Sequence, residues 1–539
     1  GRPGLCQNSG LCSVSSMLPR PRRAPIPLIE EPKMSDQTNT PAQDENKLIA
    51  ERRQKLAEWR ATGKAFPNDF SRENTAGKLD EIYGEKSAEE LEALPVEVKV
   101  AGRIMLKRVM GKASFATIQD LSGRIQLYVT RDGVGEDVYA DFKHWDIGDI
   151  VGTVGVLFRT KTGELSVKSA ELRLLTKSLR PLPDKFHGLT DTETKYRQRY
   201  VDLIMSEESR KKFLARTRFI QTIRDLLLGN GFVEVETPIL QSKPSGALAR
   251  PFKTHHQALD IDVYLRIAPE TYLKRLIVGG FNRVFEFARC FRNEGISADH
   301  LQDFTMLEYY AAYWNFEDNM AFTEELFHHV LQAIAGTTTI RVGQDDLDFS
   351  GRWPKVTFGE LIERDTGIRL DDHRDAGALR EAIASKRIDL DMSPSDIAKL
   401  GRGNLIDLLY KRVSRPKIIQ PTFLVGHPLD LSPLARANDR DGTIVDRFQL
   451  VAGGVELVNA YSELADPIDQ RRRFEAQAKL KAQGDDEAME YDEDFVRALE
   501  YGMPPTSGWG MGIDRTLKFL FNEDNIKNCV LFPLMRPLG

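Results

Sequence analysis

Two consecutive β-like segments carry the side chains that are best suited to bind a ligand. Residues 284 to 292 (VFEFARCFR) alternate with period two, which places Phe285 and Phe287 on one face and Arg292 on the other. A second segment begins at Asp303 and places four side chains on one face: Phe304, Met306, Glu308 and Tyr310. An antiparallel hairpin would present a guanidinium for phosphate, a ring for stacking and a carboxylate for a cation. The pattern also fits an Arg–Glu pair on an exposed sheet face.

A second hairpin candidate, from Arg447 to Asn459, offers oxygen ligands for a metal. If Ala452 and Gly453 form a two-residue turn, Gln449 lies directly opposite Glu456. Facing oxygen donors on one sheet surface suit Mg²⁺ when the phosphates of a substrate supply the other ligands. This pattern alone is a weak indication of a metal site.

Near the C-terminus, GWGMGIDR (508–515) leads a glycine-rich strand into a helix, with Asp514 as the predicted N-cap and Arg515 in the first turn. Glycines let a ligand approach the backbone closely, and a helix N-terminus favours anions. The glycine spacing differs from the dinucleotide-binding fingerprint, and no βαβ unit surrounds it. A packed glycine strand followed by a surface arginine is the alternative interpretation.

Composition limits the classes of protein that could carry these groups. The chain has 539 residues, of which 41% are hydrophobic and 29% charged, which is typical of a globular protein of several domains. Its net charge of -5 means that a nucleic-acid partner must be met by a local basic surface. No segment approaches the roughly 18 apolar residues of a spanning helix, so no membrane association is predicted. The four cysteines lack disulfide or zinc-site spacing, which favours a reducing cytoplasm.

The order of elements predicts two folded regions. Residues 1–42 are rich in Pro, Ser and Gly and are predicted to be a disordered tail. A basic amphipathic helix and five short β-rich runs follow within 43–178, and the strands predict a small closed barrel of the OB type. Residues 179–200 are predicted as a linker. Residues 201–539 mix helices and strands without regular βαβ alternation, which predicts an α+β domain on an antiparallel sheet, with a helical insertion around 371–413.

Three segments, in this order, resemble the signature motifs of class II aminoacyl-tRNA synthetases: GFVEVETP (231–238), FRNE (291–294) with Phe304, and GMGIDR (510–515). Within that class, further segments resemble lysyl-tRNA synthetases: ARPF (249–252), THH (254–256), LRIAPE (265–270), GIS (295–297), YSEL (461–464) and, in the barrel, VAGRI (100–104). The resemblance extends from about residue 45 to Pro537, and the three ordered motifs make it specific.

The resemblance implies a six-stranded antiparallel catalytic sheet flanked by helices, an N-terminal OB barrel that binds the anticodon, and a homodimer with Pro238 near the interface. It also implies the substrates ATP, L-lysine and tRNA(Lys), with Mg²⁺ as cofactor. Lysine and ATP would give lysyl-adenylate and pyrophosphate, and the lysyl group would then move to the terminal ribose of the tRNA.

The resemblance also assigns individual residues. Arg292 and Arg515 are the expected catalytic residues. The expected ATP-binding residues are Arg292, Glu294, His300, Phe304, Glu456 and Arg515. The expected lysine-binding residues are Gly246, Glu270, Glu308, Tyr310, Asn459 and Glu463. Glu456 and Gln449 would hold the metal, and Phe115, Gln126 and Glu164 would contact the anticodon. His300 could instead be a surface loop residue, and Phe115 a packed core residue.

One position departs from the pattern and three rival functions stay open. The family usually has Glu where this chain has Gln449, so one fewer negative charge would hold Mg²⁺, and we hypothesise fewer or weaker bound ions. An aspartyl-type synthetase would need a cation in the side-chain pocket, whereas Glu270 and Glu308 are anions. A paralogue that binds lysine and ATP would not need the barrel, and an RNA-binding OB module would not need Arg292 or Arg515.

Overall fold

The computed structural model describes residues 41–183, 191–247, 249–482 and 491–538, with the side chains of 41–45 and 480–482 left aside. The chain divides into two compact units, the first ending at Leu182 and the second beginning at Pro183. Residues 1–40 of the predicted tail lie outside the described residues, and the first helix begins at Pro41. The part of the predicted linker that follows residue 190 is helical, beginning with Thr192–Arg197.

The first unit is a closed barrel with short helices around it. Its strands are β1 (Glu97–Met110), β2 (Ala113–Gln119), β3 (Arg124–Thr130), β4 (Ile150–Arg159) and β5 (Leu165–Thr176). Its helices are α1 (Pro41–Ala61), α2 (Ala76–Tyr83), α3 (Ala88–Ala93), α4 (Arg131–Val134) and α5 (Glu136–His144). The strands close in the order β1-β2-β3-β5-β4, which confirms the predicted OB-type barrel.

Alternation along the barrel strands separates an apolar interior from a polar exterior. On β3, Ile125, Leu127 and Val129 are at most 4% exposed and belong to the barrel core. The residues between them, Gln126 and Tyr128, therefore point outwards.

The second unit contains the remaining elements. Its strands are β6 (Val233–Glu234), β7 (Leu240–Gln241), β8 (Lys253–His256), β9 (Ile261–Leu265), β10 (Arg283–Phe291), β11 (Asp303–Ala312), β12 (Thr339–Val342), β13 (Asp345–Asp348), β14 (Lys355–Thr357), β15 (Thr422–Val425), β16 (Arg447–Ala452), β17 (Val455–Ser462) and β18 (Thr506–Gly512). Its helices are α6 (Thr192–Arg197), α7 (Arg199–Met205), α8 (Glu207–Gly229), α9 (Glu270–Val278), α10 (Phe316–Ala335), α11 (Phe358–Thr366), α12 (Ala376–Ser385), α13 (Pro394–Ile397), α14 (Arg402–Leu409), α15 (Pro467–Ala482), α16 (Glu493–Glu500) and α17 (Ile513–Leu520).

One sheet forms the centre of this unit, in the order β14-β15-β16-β17-β18-β11-β10-β6. The six strands from β15 to β10 pair antiparallel, whereas β14 and β6 join the two edges in parallel. The antiparallel sheet implied by the resemblance is therefore confirmed, with a short parallel strand added at each edge. The hairpin of β10 and β11 forms as predicted, with Glu286 opposite Glu308 and Cys290 opposite Phe304.

The two faces of the sheet have different roles because side chains alternate along each strand. One face carries large apolar side chains such as Phe285, Tyr309 and Trp509, which pack with α8 and α10 in the largest core. The other face carries Glu308, Tyr310 and the glycines of β18, and it lines a cavity. The apolar face thus supports a polar, concave one.

The predicted insertion is helical and packs in a core that it shares with α11 and with strands β15 and β16. It comprises α12, α13 and α14, and Leu379, Leu405 and Leu409 are fully buried within it. Tyr410–Ser414 continue α14 as one π-helical turn. Among the described residues, no helix combines the length and the apolar character that a membrane span requires.

Candidate active site

A single cavity of about 340 Å³ lies over the polar face of the sheet in the second unit. It brings together all the residues predicted to bind ATP or lysine: Gly246, Glu270, Arg292, Glu294, His300, Phe304, Glu308, Tyr310, Glu456, Asn459, Glu463 and Arg515. These residues come from segments more than 200 positions apart in the chain. Their convergence on one concave surface is the main structural feature of the site.

One end of the cavity is strongly anionic. Glu270, Glu308 and Glu463 are each at most 6% exposed. The hydroxyl of Tyr310 donates to Glu308 Oε2 at 3.0 Å, and that of Tyr461 donates to Glu270 Oε1 at 2.7 Å. Burial, reinforced by the nearby Glu270, raises the pKa of Glu308 to about 8. Buried carboxylates with few donors fit a cationic ligand, because a cation offsets the desolvation cost of their negative charge.

Glycines open this end of the cavity. A Cβ at Gly508 would overlap Glu463 Oε1 and the ring of Tyr310, so no other residue fits there without displacing the pocket. Gly246 has φ +89°, and an added Cβ would lie 3.0 Å from the Cβ of Glu270. Both positions therefore require glycine for the walls to approach so closely.

The other end of the cavity is cationic. Arg292 follows β10 directly, and its Nε atom is buried without a hydrogen-bond acceptor among the described residues. The guanidinium of Arg292 lies over the ring of Phe304, 5.1 Å from the centroid. Arg515 lines the same region from the first turn of α17. A buried donor without an acceptor indicates that an anion belongs there.

The residue before Arg515 has a different position from the predicted one. Gly512 precedes the first residue of α17, so Asp514 lies inside the helix and is not its N-cap. Its carboxylate accepts the backbone N–H of Thr305 at 2.7 Å and pairs with Arg216 at 2.7 Å. Asp514 thus ties the helix that carries Arg515 to the strand that carries Phe304.

The predicted pairing of Gln449 with Glu456 is wrong. The turn residues are Gly453 and Gly454, both with positive φ. A bulge lies on the strand before the turn, between Leu450 and Val451. Glu456 therefore lies opposite Val451, and Gln449 lies opposite Asn459. The amide oxygen of Gln449 accepts the hydroxyl of Tyr410 at 3.3 Å, and Gln449 is absent from the residues that line the cavity.

The described residues contain no group of three or more His, Cys, Asp or Glu side chains that could hold a metal ion alone. A cation at Glu456 would consequently need most of its ligands from a bound phosphate compound.

The predicted anticodon residues lie together on the outside of the barrel. Phe115 pairs across the strands with Tyr128, their ring centroids are 5.1 Å apart, and Phe158 extends the row at 5.6 Å from Tyr128. Ser166 lies between the other two, because its hydroxyl is 3.0 Å from Gln126 Oε1 and 3.2 Å from the carbonyl oxygen of Glu164 and can donate to either. Phe115 is not a member of the barrel core.

Sequence reasoning missed several residues of these sites. Lys274 lies behind the anionic end and contacts Glu270 and Glu463. It follows Glu270 by four residues on α9, a spacing that puts both side chains on one helix face, but no helix was predicted over this segment. Tyr128 could have been found because it lies two positions after Gln126 on β3, so both side chains are on the same face. Phe158 lies on β4, another predicted strand of the barrel. Tyr461 lies within a quoted motif, but nothing in the sequence indicated its contact with Glu270.

Comparison with known proteins shows which family the two units resemble. Residues 191–536 match the family described as tRNA synthetases class II (D, K and N), and residues 98–175 match the OB-fold nucleic acid binding domain. The lysine–tRNA ligase of Aromatoleum aromaticum is 58% identical over 506 residues, covering 93% of this chain and 100% of the relative. That of Azoarcus sp. is 56% identical, covering 94% and 100%. The heat-inducible lysine–tRNA ligase of Escherichia coli is 52% identical, covering 92% and 97%.

The barrel, the antiparallel sheet and the cavity with two arginines define a class II aminoacyl-tRNA synthetase. With relatives above 50% identity over nearly the full length, the chain belongs to the lysine–tRNA ligase family, and its function is that of a lysyl-tRNA synthetase in translation.

Proposed function

We propose that the cavity binds lysine at its anionic end and ATP at its cationic end, and joins them as lysyl-adenylate. The observation that carries this proposal is the separation of charge within one cavity: three buried carboxylates at one end, and Arg292 and Arg515 at the other. Glu270, Glu308 and Tyr310 would receive the ε-ammonium, while Gly246, Asn459 and Glu463 would frame the rest of the amino acid. The carboxylate of lysine would then face the phosphates.

In the first reaction, a lysine carboxylate oxygen attacks the α-phosphorus and the bond to pyrophosphate breaks. Arg292 would hold the α-phosphate and Arg515 the γ-phosphate, where negative charge develops. Phe304 would stack on adenine, with Glu294 and His300 near the nucleotide. In the second reaction, a terminal ribose hydroxyl of tRNA(Lys) attacks the activated carbonyl and AMP leaves.

This chemistry needs no protein nucleophile, since both attacking oxygens belong to substrates. Cys290 lies opposite Phe304 but does not line the cavity, and burial raises the pKa of its thiol to about 12, so it stays protonated. The contribution of the protein is positioning and charge stabilisation.

The direct test is aminoacylation of tRNA(Lys) with each of the twenty amino acids in turn. We expect efficient charging with lysine only. Charging with aspartate at a comparable rate would overturn the assignment of the anionic end, and exchange of pyrophosphate into ATP without any charging would indicate a paralogue that does not act on tRNA.

Mg²⁺ would be held by Glu456 together with the phosphates of ATP, whereas Gln449 does not line the cavity and residue 449 would act on the ion only through its charge. Oxygen donors of this kind suit Mg²⁺, which would neutralise charge on the pyrophosphate when bound. Because an amide carries no charge, we expect Gln449→Glu to bind Mg²⁺ in the presence of ATP more tightly, by about tenfold. Calorimetric titration with Mg²⁺ and the Mg²⁺ dependence of pyrophosphate exchange would measure this. Identical curves for the variant and the parent would rule out a role for residue 449 in metal binding.

The outer face of the barrel would bind the anticodon, with Phe115 stacking on a base and Gln126 and Glu164 forming hydrogen bonds. Since stacking of one base contributes roughly 1–3 kcal/mol, Phe115→Ala should raise KM for tRNA(Lys) about tenfold or more. Lysine-dependent pyrophosphate exchange should not change, because the substitution is in the other unit. Val156→Ala, a partly exposed apolar residue on the same barrel, is the matched control. Equal KM values for the two variants would contradict the assignment.

We infer that the chain forms a homodimer near Pro238. The support is apolar surface beside this residue, since Val233, Ile239 and Leu240 are 43–50% exposed. A cytoplasmic location is inferred from its place in translation.

A further inference from the structure

A fully buried lysine lies directly behind the anionic end of the cavity. Lys274 is 1% exposed, and its Nζ atom lies 2.6 Å from Glu270 Oε1 and in contact with Glu463. Three rings surround the ammonium, those of Tyr310, Tyr461 and Phe495, with centroids 5.6–5.9 Å away. It therefore has charged and aromatic partners on several sides.

The surroundings keep this ammonium charged. Burial lowers the pKa of Lys274, but Glu270 and Glu463 raise it, and the net result lies above the usual value for lysine. Lys274 does not line the cavity, so a bound amino acid would meet the carboxylates and not Lys274. Any influence of Lys274 on the ligand must therefore pass through Glu270 and Glu463.

We propose that Lys274 is a positioning residue for amino-acid selection: an internal cation that neutralises one of the three buried carboxylates, so that two negative charges remain for the two ammonium groups of free lysine. The inference rests on the proposed function, in which Glu270, Glu308 and Glu463 receive the amino acid.

The charges of the pocket and the ligand then balance for an amino acid with two ammonium groups. They do not balance for an amino acid with an uncharged side chain. Three carboxylates and one internal ammonium leave a charge of minus two, which the α- and ε-ammonium groups of lysine cancel, while the carboxylate of lysine faces Arg292. An amino acid with an uncharged side chain would leave one buried negative charge, which is strongly unfavourable at this depth. Without Lys274, even lysine would leave one carboxylate uncompensated, and that group would have to bind a proton.

A purely structural role is the competing explanation, because Lys274 also ties α9 to the residues after β17. The pH dependence distinguishes the two. The groups that face the ammonium or its carboxylates are Glu270 on α9, Glu308 and Tyr310 on β11, Tyr461 and Glu463 on and after β17, and Arg292. Removal of a cation raises the pKa of neighbouring carboxylates, whereas loss of packing alone does not.

The experiment compares Lys274→Met, Lys274→Arg and the charge-balanced double variant K274M/E463Q in the full-length enzyme. Pyrophosphate exchange gives KM for lysine and KM for ATP across a range of pH. For Lys274→Met we expect KM for lysine at neutral pH to rise about tenfold or more, as for a pKa shift of about one unit, with KM for ATP nearly unchanged. The pH at which KM for lysine stops improving should move upwards by about one unit. In K274M/E463Q and in Lys274→Arg, that pH should return towards the parent value.

Three results would overturn the proposal. The first is a parent-like pH profile in Lys274→Met despite a higher KM, which would indicate a structural tie only. The second is an equal rise in KM for lysine and for ATP. The third, which also covers a Lys274→Met protein that does not fold, is a K274M/E463Q variant whose pH profile stays about one unit or more above that of the parent. A failure of the proposed function would look different, because Glu308→Gln would then leave KM for lysine unchanged.

Discussion

Glu308→Gln is expected to raise KM for lysine about 100-fold or more, and so to abolish exchange of pyrophosphate into ATP at ordinary lysine concentrations. The amide keeps the size of the side chain and can still accept from Tyr310, so the pocket should keep its shape. The amide cannot, however, supply the negative charge that a desolvated ε-ammonium requires. KM for ATP should remain close to the parent value.

The same substitution should remove a pH dependence that the parent enzyme shows. The pKa of Glu308 is raised to about 8 in the empty pocket, so the carboxyl is neutral below that pH and anionic above it. A bound ammonium favours the anion, and lysine binding therefore weakens as pH falls below about 8, by up to about tenfold for each pH unit. Glu308→Gln has no proton to lose at this position, and its profile should be flatter.

Glu317→Gln is the matched control, because this carboxylate is 63% exposed at the start of α10. It should leave both KM values and the pH profile unchanged. A parent-like KM for lysine in Glu308→Gln would remove Glu308 from the lysine pocket.

The polar face of the sheet was predictable because strand alternation is a local property of the sequence. Phe285 and Phe287 marked the buried face of β10, and the opposite face of the hairpin followed from period two. The barrel was predictable from its five short β-rich runs, whereas Gln126 was named only by the resemblance, and alternation on β3 places it outside in the structure. What the sequence could not supply was the meeting of the hairpin with β17 and β18, which the family resemblance provided.

The error at Gln449 has a specific physical cause. Gly453 is followed by Gly454, and two positive-φ residues are needed for a two-residue turn that matches strand twist, so the turn lies one position later than predicted. The bulge beyond the turn then shifts the register a second time. A bulge depends on packing against neighbouring strands, and no sequence pattern in 447–459 predicted it.

Lys274 and Asp514 illustrate a different limit. Asp514 was predicted as an N-cap from its local sequence, and Lys274 was not singled out at all. Their partners, Glu463 and Arg216, are separated from them by 189 and 298 positions respectively. Contacts at such separations are set by the assembled sheet and cannot be inferred from local spacing.

Arg292→Ala is expected to lower the rate of lysine-dependent pyrophosphate exchange about 10²–10³-fold, the effect typical of removing a donor that stabilises charge in a transition state. The Nε atom of Arg292 is buried without an acceptor, so its donors are already desolvated and oriented before the phosphate arrives. That organisation means the loss should fall mainly on kcat, with a smaller rise in KM for lysine, because the anionic end remains intact while the carboxylate of lysine loses the charge of Arg292.

Arg289→Ala is the matched control for Arg292→Ala, since Arg289 lies on β10, three positions before Arg292. Its side chain is 42% exposed and pairs with Asp303, outside the cavity lining. It should keep most of the exchange rate. Arg292→Lys separates charge from geometry: because an ammonium lacks the planar fork of a guanidinium, we expect it to recover only part of the loss. Equal rates for the alanine variants at 289 and 292 would show that the unpaired donor at the end of β10 does not meet the reacting phosphate.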